Sequence, residues 1–127
     1  MDKLITEMIA RYAVARSKAR KLNLKEQDYG NEVFIYPENE GIINPKYMTV
    51  FEYNQIIQFY EFLIKHEDLS NSDIDEILDA SDRFDFLLKL KRKNPNFIEQ
   101  LKKHGPMSVA ITYINDKVFS KKSELKQ

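Results

Sequence analysis

The chain has 127 residues, with 20 basic and 20 acidic side chains, 43% hydrophobic residues and no cysteine. That is the length of one ordinary domain with enough apolar content for a core, and the lack of cysteine excludes disulfides, thiolate chemistry and Cys-rich metal sites within it. Only three glycines are present, too few for a phosphate-cradling glycine loop.

The first helix is predicted from about Lys3 to Leu22, with Ile5, Met8, Ile9, Tyr12, Ala15, Ala19 and Leu22 as its buried stripe. Its second half is basic, and the block 11–25 carries Arg16 and Arg20. Bases near a helix C-terminus complement the helix dipole, and they also suit a phosphate backbone. From Glu26 to Lys46 the helical pattern stops. Turn residues there punctuate the apolar runs Val33 to Tyr36 and Ile42-Ile43, which points to a small β-hairpin or an extended insert. Asn44-Pro45 ends that segment.

The strongest local signal runs from Met48 to His66. Thr49 with Glu52 three residues on is a capping box, and Met48 and Tyr53 are placed as its hydrophobic staple. Tyr53, Ile56, Ile57, Tyr60, Leu63 and Ile64 then recur at helical spacing. Phe51 and Phe62 fall roughly opposite that face, near Gln55 and Gln58, so this central helix carries aromatic surface on two sides. What covers the second side, another helix of this chain or another molecule, decides whether Phe51 and Phe62 are partner contacts.

Ser70 with Asp73 is a second capping box, with Leu69 and Ile74 as its staple. Ile74, Ile77, Leu78, Phe84 and Leu88 keep one face, whereas Phe86, Leu87 and Leu90 do not, so a break is expected near Ala80-Ser81 with Ser81 as a new cap. Asp75, Asp79 and Asp82 share one face if the helix is unbroken, forming an acidic strip suited to docking. A calcium loop is not assigned, because Glu76 stands where the turn glycine would be. Lys91, Arg92 and Lys93 precede the stop at Asn94-Pro95. A short helix carrying Phe97, Ile98 and Leu101 ends at Gly105, the left-handed position, with Pro106 behind it. Met107, Ala110, Ile111, Ile114 and Val118 favour a helix for the segment to Phe119, against a competing hairpin, and a polar tail follows.

Charge is segregated. Successive blocks ending at residues 25, 46, 66, 85 and 127 carry net charges of +5, −4, −1, −7 and +7. Such blocks either neutralise one another in the fold or form a bipolar surface that docks onto a charged partner.

These signals give a mainly α fold: a single-domain helical bundle of about five helices over residues 1–119, a small β-hairpin or extended insert between the first two, and a polar C-terminal tail at 120–127. No apolar run is long enough to span a membrane, and the first residues lack the pattern of a signal peptide, which points to a cytoplasmic protein. No catalytic, cofactor-binding or metal-binding group is assigned. His66 and His104 are each placed near a helix C-terminus, where the dipole accounts for them. The expected function is a non-enzymatic protein–protein interaction module, a small adaptor or structural subunit of a larger assembly, with Phe51, Phe62, Asp75, Asp79 and Asp82 as partner-binding residues. A second copy of the chain is one admissible partner. The alternative is a nucleic-acid-binding accessory protein that uses the blocks 11–25 and 89–103, with Arg16, Arg20, Lys91, Arg92 and Lys93 as contacts. Frequent Lys, Ile and Asn point to an AT-rich genome, as in a low-GC bacterium, its phage or another mobile element.

Overall fold

The Thr49 box closes in both directions: the Glu52 amide donates to Thr49 Oγ1 at 3.1 Å, and the Thr49 amide donates to Glu52 Oε1 at 2.8 Å. The helix it starts, Val50–Lys65, is the second of six α-helices among the residues described in this computed structural model. Those residues are 2–29 and 48–125, with side chains described for 2–20 and 48–117. In chain order the helices are α1 (Asp2–Tyr29), α2 (Val50–Lys65), α3 (Asn71–Asp79), α4 (Asp85–Lys93), α5 (Phe97–His104) and α6 (Pro106–Leu125), with a 3₁₀ turn at Asp82–Phe84 between α3 and α4. The fold is mainly helical, with one helix more than expected.

One expectation for the first third changes. α1 does not stop near Leu22 but runs to Tyr29, because Leu24, Lys25, Glu26 and Gln27 are adequate helix formers and no glycine intervenes before Gly30. No strand is present among the described residues, and the hairpin or extended insert expected from 33 to 43 lies outside them.

α2 sits at the centre, packed against α1, α4, α5 and α6. Its burial is correspondingly wider than the expected face. Phe59 and Phe62 are fully buried, as are Ile56 and Leu63, whereas Ile64, expected on the core face, is 48% exposed. With helices of the same chain on several sides, α2 is buried beyond its apolar stripe, so its wheel alone does not reveal which side is solvated. Phe59 stacks on Phe97 of α5 with ring centroids 6.0 Å apart. Phe51 meets Tyr12 of α1 edge-on at 5.0 Å. Gln55 and Gln58 are buried too. Each makes one hydrogen bond to another element: Gln55 Nε2 donates to the Arg83 carbonyl at 3.2 Å while its Oε1 is buried without a partner, and Gln58 Oε1 accepts from Arg11 Nη1 at 3.3 Å.

The expected break after α3 is present. Ser70 and Asp73 form the second capping box, α3 ends at Asp79 with Ala80 behind it, and Ser81 Oγ accepts from the Arg83 amide at 3.2 Å. The break gives α4 its own face, so Leu87 and Leu90 enter the core together with Phe84. α5 buries Phe97, Ile98 and Leu101 as predicted and closes at Gly105, whose φ is +87°. Pro106 opens α6, in the first turn, where the amide it lacks would have no intrahelical acceptor. The segment 107–119 is helix rather than hairpin, and α6 continues through 120–125, which composition assigns to the tail. Val109, Ala110, Tyr113 and Ile114 form its buried stripe, while Met107 and Ile111 are partly covered.

Candidate functional site

Three groupings of polar side chains come together from separate elements. The first joins α1 to the end of α2. Glu7 accepts from Lys65 Nζ at 2.6 Å through Oε1 and pairs with His66 Nε2 at 2.7 Å through Oε2. Arg11, one turn on, donates to Gln58 and to Glu61 at 3.3 Å each. Burial pushes the Glu7 carboxyl upward, but the hydrogen bonds and charges of Lys65 and His66 outweigh it and hold the group below the usual carboxylate range. The His66 ring also lies 4.7 Å from the Phe62 ring. The Glu7–His66 contact is a clasp that ties α1 to the end of α2.

The second grouping is the acidic strip. Asp75 forms an ion pair with Lys91 of α4, so one member of the expected docking strip and one of the expected nucleic-acid contacts satisfy each other. Asp79 and Asp82 are exposed and make no ion pair with a described residue. They do not share one helix face, because the break at Ala80-Ser81 places Asp82 in the 3₁₀ turn. Phe51 and Phe62 are not part of this strip. α1 covers Phe51 through Tyr12, and Phe62 has no solvent exposure at all, so the second neighbour of α2 is this chain itself.

The third grouping surrounds Tyr113. The ammonium of Lys93 lies 5.8 Å and that of Lys117 4.5 Å from the centre of its ring, and Phe86 meets the ring edge-on at 5.5 Å. Burial raises the Tyr113 pKa, Glu52 raises it further, and Lys89 opposes them. Its hydroxyl is buried with no hydrogen-bond partner. Beside it a cleft lined by Lys93, Asn94, Phe97, Gln100, Thr112 and Asp116 holds about 20 Å³, room for one water molecule. Gln100 ties its walls together, accepting from Asn94 at 2.8 Å and donating to Thr112 at 3.1 Å.

Arg16, Arg20 and Arg92 are exposed. α1 packs against α3 and the 3₁₀ turn, and that acidic segment in turn packs against α4. Among the described residues no group of three His, Asp or Glu side chains is placed to share a metal ion, and no helix is long and apolar enough to cross a membrane. Sequence reasoning missed the clasp. Its only local trace is the i, i+4 pairing of Glu7 with Arg11 and of Glu61 with Lys65. Compared with protein families, with curated proteins and with solved structures, the chain finds no match.

Proposed function

We propose that the chain is a non-enzymatic protein–protein interaction module, a small adaptor or structural subunit that docks through charged surface rather than through an apolar groove. The observation that carries this reading is the contrast within the acidic segment. Asp75 is neutralised by Lys91, while Asp79 and Asp82 stand exposed and unpaired among the described residues where α3 breaks. Acidic side chains at a helix start are explained by the dipole, but Asp79 lies at the last residue of α3, where that explanation reverses sign. The partner fitted to this edge is a protein with a basic surface.

The test is recovery of a partner from the source cell by the tagged protein, compared with a D79K/D82K double variant. Recovery by the parent and loss by the variant supports the reading. Equal recovery by both, or none by either, contradicts it. A second reading, nucleic-acid contact, is favoured by the lysines gathered around Tyr113.

A further inference from the structure

We draw no further inference here: the strongest candidate, the partly exposed apolar face of α2 at Ile57, Tyr60 and Ile64, carries nothing because nothing in the structure shows what covers it.

Discussion

Glu7 and His66, 59 positions apart, meet at 2.7 Å across the α1–α2 interface. The same carboxylate holds Lys65 at 2.6 Å, so one acid on α1 fastens the last turn of α2. The consequence is a defined pH dependence. The folded pKa of Glu7 lies below its ordinary value, so the stabilisation is fully present above the unfolded carboxylate pKa and disappears as pH falls through the lower, folded value. Glu7→Gln is expected to cost about 1 kcal/mol near neutrality, the upper end for a partly exposed pair. Urea unfolding at stepped pH should show the parent losing more stability than the variant on acidification below about pH 5, the two curves converging in strong acid.

Phe62 and Ile64, two positions apart on α2, have opposite fates, one fully buried and the other 48% exposed. Phe62→Ala should destabilise by about 3 to 5 kcal/mol, as large-to-small changes in a packed core do. Ile64→Ala should stay within about 0.5 kcal/mol of the parent. Equal effects at the two positions, read by chemical denaturation, would mean that α2 is turned differently about its axis.

Gly105 joins α5 to α6 at φ +87°, ψ 175°, a region that only glycine occupies readily. A methyl group added there would meet nothing within 4 Å, so the penalty of Gly105→Ala is conformational rather than steric. It should be about 1 to 3 kcal/mol, measured as a lower urea midpoint with an unchanged denaturant slope.

Thr49→Ala removes the hydroxyl that takes the Glu52 amide and should cost about 1 kcal/mol. This cap is legible from the sequence, and so are Ser70, Ser81, the stop at Asn94-Pro95 and the turn at Gly105, because each depends on residues within four positions of one another. The pairings that build the surface are not. Asp75 reaches Lys91, Arg11 reaches Gln58, and Glu7 reaches His66, and each depends on how helices pack, which local spacing does not encode. The central helix is hard to read from its wheel for a related reason. With helices of the same chain on several sides, its polar flank at Gln55 and Gln58 is interior, and the hydrogen bonds that reach it come from Arg83 and Arg11.

The most direct test of docking through the α3 edge is a salt titration of the complex between this chain and its recovered partner, made with the parent and with D79K/D82K. The parent complex should weaken as salt rises, since exposed charges carry the contact. The double variant should bind at least about tenfold more weakly at low salt, with an unfolding midpoint equal to the parent's. Equal affinity for parent and variant across the titration would contradict the account and remove Asp79 and Asp82 from the interface.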